Sequence, residues 1–219
     1  MDTVNLLDRA GLLAHIIRWR LTWNRRDTAY LPSEALPDKF KSARAAVDMI
    51  SNGACVISCG IGSNARCSIF FWALRERYER SALPEKLTWI SIAGQGGRGR
   101  VPGTVEEIGL EGLVTCYIAG HTETARSMLQ LADAGRLELH TLPQGEMTHV
   151  VEAQARGEHS VRSRTGVGSF LDTGVGRGSP VTPYATKQFA QADGDQIIYT
   201  LPVVDVAMFS APYADRHGN

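Results

Sequence analysis

The residues best suited to chemistry concentrate in residues 142–173, LPQGEMTHVVEAQARGEHSVRSRTGVGSFLDT. A Pro143-Gln144-Gly145 turn runs straight into a helical segment that begins with Glu146 and carries His149. A glycine-spaced loop, Thr165-Gly166-Val167-Gly168-Ser169-Phe170, comes next. Glycine lets the backbone come close to a ligand and leaves N–H donors open to it. An amide such as Gln144 can position a polar group, or it can simply close its own turn. Phe170 either shapes an apolar pocket or fills a gap in the core. Glu146 stands in a helix first turn, where a carboxylate is a favourable partner of the helix dipole. It is also a weak candidate for a catalytic acid or base on this chain. Glu123 is a similar, weaker case.

The elements that position this stretch follow a regular alternation. Residues 42–50 form a short helix capped by Ser42, and Asn52-Gly53 turns the chain. Apolar strands are predicted at 54–59, 87–93, 113–118 and 136–141. Helices are predicted at 65–80 and 122–134, with a helical turn at 105–110, and Gly135 stops the second helix. This is an α/β domain with an open, mostly parallel sheet flanked by helices, its strands buried on both faces. A small C-terminal hairpin follows at 187–190 and 196–200 about Asp193-Gly194, then a last strand at 203–209. Each of the first four strands ends in a polar, glycine-bearing turn: Gly60-Ile61-Gly62-Ser63-Asn64, Gly94-Gln95-Gly96-Gly97-Arg98-Gly99, Gly120-His121 and Gln144-Gly145. In open α/β sheets the ligand crevice lies outside the carboxyl ends of the strands. A site is therefore expected along that edge.

The 219 residues divide into an N-terminal amphipathic helix with a linker, 1–41, and the α/β domain, 42–219. Within 1–26, Leu6, Leu7, Ala10, Leu13, Ile17 and Leu21 recur at helical spacing with arginines between them. This helix is expected to pack on its own domain or on a partner subunit. Pro32 and Pro37 mark the linker. A net charge of zero gives no reason to expect nucleic acid or an anionic membrane as partner. No secretory signal or membrane span is read, so a cytoplasmic setting is expected. Cys55, Cys59, Cys67 and Cys116 lack C-x-x-C spacing and read as reduced, buried thiols. The histidines and carboxylates show no metal-ligand spacing, so no metal is expected.

The order of these motifs resembles the family I coenzyme A transferases, specifically the α half in the propionate (acetate) CoA-transferase branch. That pattern has a Leu-Pro-Gln-Gly turn, a His four residues after the Gly, and a V-G-(L/V)-G-(T/S)-F-x-D loop. Gln144, Gly145, His149, Gly166, Gly168, Ser169, Phe170 and Asp172 fall on it. Lys41-Ser42-Ala43, Ala93-Gly94-Gln95-Gly96, Glu111-Gly112-Leu113-Val114, Gly120-His121 and the closing Ala214-Asp215-Arg216-His217-Gly218-Asn219 match in order. The resemblance covers about residues 40–219. One departure is the segment after the first strand, Gly62-Ser63-Asn64-Ala65-Arg66-Cys67, where the family has G-x-x-x-P.

The resemblance implies a ping-pong exchange in which CoA moves between an acyl-CoA and a carboxylic acid. A glutamate on a β-type partner chain attacks the thioester, forms an anhydride, and then carries CoA as a glutamyl thioester. No match to that glutamate's motif occurs here, so an αβ or α2β2 assembly is implied. The CoA thioester is substrate, and no permanently bound cofactor is expected. This chain would form one wall of the site. Gly60, Gly62, Ser63, Asn64, Gly96, Gly145 and Gly168 would line it and donate N–H groups to an oxyanion, each such donor typically worth roughly 3 kcal/mol. Gln95 and Gln144 would position carboxylate or thioester, with Phe170 against the acyl group. His121 faces the crevice by position, and His149 reads as helix scaffold. The alternatives are a diverged acyl-CoA hydrolase or lyase and a non-catalytic ligand-binding protein. A dinucleotide site at Gly60-Ile61-Gly62-Ser63-Asn64-Ala65 lacks the acidic residue that should end the next strand.

Overall fold

The computed structural model describes residues 6–22, 26–31, 39–60, 65–215 and 217. The chain runs through α1 (Leu6–Thr22), α2 (Ala43–Val47), β1 (Cys55–Cys59), α3 (Ser68–Ser81), β2 (Leu87–Ile92), β3 (Val114–Ala119), α4 (Arg126–Asp133), β4 (Glu138–Thr141), α5 (Gln144–Ala155), β5 (Ser160–Ser163), β6 (Ala190–Asp193), β7 (Gln196–Thr200) and β8 (Val206–Met208). Two 3-10 turns, Val105–Ile108 and Thr122–Thr124, lie on either side of β3.

β1, β2, β3, β4 and β8 form one parallel sheet in the order β4-β3-β2-β1-β8, and β5-β7-β6 is a small antiparallel sheet. The expected α/β architecture is thus present. Strand alternation sorts the apolar residues onto two faces. Val56, Trp89 and Tyr117 face one core with Phe71 and Leu74 of α3 and Met128 of α4. Ile57, Ile90 and Ile118 face the other, with Met147 and Val150 of α5 and Ile197 and Tyr199 of the small sheet. Each large side chain buried in these layers contributes roughly 1.5–3 kcal/mol. Trp89 also needs a partner for its N–H and finds Ser58 Oγ at 2.9 Å.

Several boundaries differ from the sequence expectation, each for a local reason. α3 begins at Ser68 rather than 65 because Ala65 adopts a left-handed backbone, φ 52°, which cannot open a helix. The helix expected over 122–134 is broken at Ala125 (φ −101°, ψ 70°). β4 starts two residues late because the Arg136 N–H is still bonded back to the Leu131 carbonyl, closing the end of α4 around Gly135 at φ 72°. The hairpin pairs Ala190–Asp193 with Gln196–Tyr199, so its first strand starts only at the last residue of the expected 187–190. Thr186 and Gln188 are held elsewhere, by Glu138 and Ser179. β5 is absent from the sequence expectation, since its Ser-Val-Arg-Ser sequence carries no apolar run. β8 covers only the middle of the expected 203–209.

α1 forms, with Leu12, Leu13, Ile16, Ile17 and Leu21 all exposed. Cys55, Cys67 and Cys116 are buried free thiols, whereas Cys59 is exposed, against the expectation. Burial pushes Cys55 and Cys67 up to about 12. No helix among the described residues is long and apolar enough to cross a membrane.

Candidate functional site

Because β1 to β4 are parallel, their carboxyl ends bring Gly60, the 93–99 turn, Gly120-His121 and Pro143-Gln144-Gly145 to one edge of the sheet. The strand order proceeds outward from β1 to β4, and the chain then returns to place β8 on the other side of β1. That reversal is the position where open α/β sheets bind ligands. Gly60 lies beside it. Its backbone is at φ 147°, and a Cβ there would meet the Ala65 carbonyl at 2.7 Å. The β8 side contributes exposed Phe209 and Ser210, whose Oγ donates to the Arg66 carbonyl at 3.0 Å. Sequence motifs do not point to these two, because only the strand order reveals β8 as the neighbour of β1. The candidates Gly62, Ser63 and Asn64 lie outside the described residues, as do Pro32, Pro37, Arg216, Gly218 and Asn219.

Gln95 is fully buried rather than open to the crevice. Its Nε2 donates to the Ser58 carbonyl at 2.8 Å and the Ile92 carbonyl at 3.1 Å, so it ties the ends of β1 and β2 together. Its Oε1 is buried and has no partner among the described residues. Gly96 is a glycine for an internal reason. A Cβ there would lie 1.8 Å from the Thr124 carbonyl, so the close approach is to the protein's own backbone.

This turn is fixed from beneath by Glu106, a buried carboxylate that belongs to no sequence motif. It accepts from the Gly99, Arg126 and Ser127 N–H groups at 2.8, 3.0 and 2.7 Å. The last two are the first N–H groups of α4, which has no side-chain cap from Ala125. Burial alone would raise the Glu106 pKa, but these donors outweigh it and hold the group below its ordinary value. Neighbouring Glu107 is likewise structural. It accepts from Trp72 Nε1 at 2.7 Å and the Gly103 N–H at 3.0 Å, and pairs with Arg75.

At the other end of the edge, Gln144 opens α5 half-buried, and its Cγ lies 2.5 Å from where a Cβ on Gly120 would sit. Gly145 is exposed, and a Cβ added there would meet nothing within 4 Å. Of the described glycines in these strand-end turns, it has open space in front of it. His149 is exposed on α5, and exposed His121 pairs with Glu123 at 3.0 Å.

Glu146 is buried and accepts from Ser163 Oγ at 2.8 Å, which joins the first turn of α5 to the end of β5. Ser163 Oγ in turn receives the Thr165 N–H at 3.1 Å, at the start of the glycine-spaced loop. Beneath this loop, Tyr199 OH donates to the Thr165 carbonyl. Burial, followed by the charges of Glu146 and Asp172, pushes Tyr199 up to about 12. Asp172 closes the loop by accepting from the Gly168 and Gly174 N–H groups, both at 2.9 Å, and these hold it below the usual carboxylate range. The Gly168 N–H is thus already used. Phe170 is 61% exposed and fills no core gap.

No protein-family profile matches the chain. Among curated proteins, it is 29% identical over 187 residues to the caffeate CoA-transferase of Acetobacterium woodii, covering 83% of this chain and 35% of that protein. It is 27% identical over 182 residues to the acetate CoA-transferase YdiF of Escherichia coli (strain K12), covering 81% and 34%. Its relatives are CoA-transferases. The chain spans about a third of their length. The resemblance to family I CoA-transferases expected from the motifs is thereby met. Among solved structures, the apoenzyme of acyl-CoA transferase YdiF from Escherichia coli O157:H7 superposes with a TM-score of 0.71 at 23% identity, covering 83% of this chain and 35% of that one. The same enzyme in a thioester complex with CoA gives 0.69 at 24%, covering 75% and 34%. A variant of the decarboxylase AibA/AibB gives 0.52 at 17%, covering 81% and 63%. These likenesses establish the shared fold.

Proposed function

We propose that this chain is the α-type half of a CoA-transferase, which moves CoA between an acyl-CoA and a carboxylic acid. The reading rests above all on similarity to two named CoA-transferases over four-fifths of the chain. The parallel sheet adds to it by gathering the glycine turns of β1, β2 and β4 at one edge. The catalytic glutamate belongs to a β-type partner, in an αβ or α2β2 assembly, and becomes the carrier of CoA. This chain supplies a wall: the open backbone at Gly145, the turn at Gly60, and exposed Phe170 toward the acyl group. Gln95 acts by fixing the β1 and β2 ends, and Gln144 remains the amide with a half-open position.

A second reading, a hydrolase or lyase on the same fold, is favoured by one observation. Glu146 is a buried carboxylate at the same edge, beside the glycine-spaced loop. Intact mass spectrometry of the complex isolated with its companion chain, after incubation with a panel of acyl-CoAs, separates the two. A CoA-sized adduct on the companion, discharged by a carboxylate acceptor, is the expected result. CoA released without adduct or acceptor overturns the transferase in favour of the second reading.

A further inference from the structure

On the second face of the sheet, away from the glycine turns, pairing of β3 with β4 sets Cys116 directly across from Glu138, with His140 two residues further on the same face. Linear spacing hides this group. Cys116 Sγ, a Glu138 carboxylate oxygen and a His140 ring nitrogen lie within 4.8 Å of one another.

The hydrogen bonds fix the tautomer of His140. Gln188 Oε1 accepts the Ser179 N–H at 2.7 Å, while Gln188 Nε2 donates to the Arg177 carbonyl at 2.9 Å, so the amide orientation is set. Ser179 Oγ, 3.0 Å from that same Oε1, must spend its only proton there. It also receives the Phe189 N–H at 2.9 Å. The His140 Nδ1 contact with Ser179 Oγ, 3.2 Å, therefore needs the proton on Nδ1. In the neutral ring this leaves Nε2 as a bare lone pair. It faces Glu138 Oε2 at 3.6 Å, and both atoms are buried without a hydrogen-bond partner among the described residues. Two acceptors aimed at each other in a buried site require a proton or a cation between them.

The surroundings prepare both groups. The Phe189 ring packs edge-on against His140 at 4.8 Å. Glu138 Oε1 is held by the Thr186 N–H and Oγ at 3.3 and 3.0 Å, which turns Oε2 inward. A histidine whose Nδ1–H is anchored and whose Nε2 is free is the arrangement that metal ligands use. Lys187 is near enough to influence all three groups, yet forms no ion pair with Glu138 within 4.0 Å.

We propose that Cys116, Glu138 and His140 bind one zinc-type divalent cation through Sγ, Oε2 and Nε2. The mixed S/O/N set suits zinc, with ligand distances of about 2.0–2.3 Å. The 3.6 Å between Nε2 and Oε2 is close to a tetrahedral edge, and Sγ, in a group that lies within 4.8 Å, has to move in towards both. Binding displaces the Cys116 thiol proton to solvent. A water completes the shell from the side of Glu138, whose side chain is 22% exposed. The ion would clamp β3 to β4 and, through His140 and Ser179, to the chain leading into β6.

The test is zinc equilibration of the full chain followed by metal analysis and X-ray absorption, with cobalt as a coloured substitute. One zinc per chain with one sulfur and otherwise nitrogen or oxygen neighbours is expected, together with a thiolate-to-cobalt charge-transfer band. Cys116→Ser should abolish the band, and Glu138→Gln should weaken zinc by at least about tenfold. Failure to retain zinc overturns the proposal. So does a shell without sulfur, measured on the unaltered chain and thus independent of how the variants fold. A band that survives Cys116→Ser but is lost in Cys59→Ser would assign the metal to the exposed thiol and likewise overturns it.

Discussion

Gln95 Nε2 reaches 2.8 Å to the Ser58 carbonyl, so the side chain of a turn residue fastens the last part of a neighbouring strand. The amide has replaced water as the partner of a buried carbonyl. Gln95→Ala removes that donor and is expected to cost about 1–3 kcal/mol, the penalty for leaving a buried acceptor unpaired. Urea titration should show a lower midpoint with an unchanged slope.

Glu106 makes a prediction about pH. Its folded pKa lies below the ordinary value of 4.5, so the unfolded chain takes up the proton first as pH falls. The stabilisation is fully present above about pH 4.5 and is lost as pH drops through the folded value. Glu106→Gln should cost about 1.5–3 kcal/mol near neutrality, because three N–H groups lose a charged acceptor. Thermal melts of both proteins across pH should show the gap narrowing on acidification.

Two glycines at the same edge should respond in opposite ways. Gly96→Ala places a methyl 1.8 Å from the Thr124 carbonyl and should cost about 1–3 kcal/mol or more. Gly145→Ala meets open space and replaces a helical glycine, so the fold should gain about 0.4–1 kcal/mol. If Gly145 lines the CoA site, the same variant should slow adduct formation in the companion complex by at least about tenfold. Melting temperature and adduct rate, measured on one preparation, separate packing from ligand approach.

Glu146→Gln distinguishes the two chemistries. The amide can still accept from Ser163 Oγ, so the loop anchor survives. A transferase whose nucleophile resides on the partner should keep its CoA adduct. Loss of all thioester turnover in a folded variant would place the chemistry on this chain.

The sheet was legible in the sequence because four apolar runs alternate with helical segments, and parallel strands necessarily bring their turns to one edge. What a residue does within a turn was not legible. Gln95 and Gly96 read as ligand-facing, but their partners, Ser58 and Thr124, lie 37 and 28 positions away and are set by tertiary contact. Glu106 belongs to no sequence motif, because its role depends on the uncapped start of α4. Gly145 kept its expected openness, since a Cβ there would meet nothing within 4 Å.

β8 is held to β1 by three residue pairs and by Asp205, whose carboxylate accepts the Cys55 N–H at 2.8 Å while its own N–H reaches the Cys55 carbonyl at 2.9 Å. The contact spans 150 positions. On a ribosome, β1 to β4 emerge and can pair in succession long before residue 205 is made. Throughout that interval one flank of β1, with its Val and Ile side chains, is an unguarded template for another nascent chain. Closure by β8 is then a late, high-contact-order event, to which Asp205 adds its two bonds to Cys55.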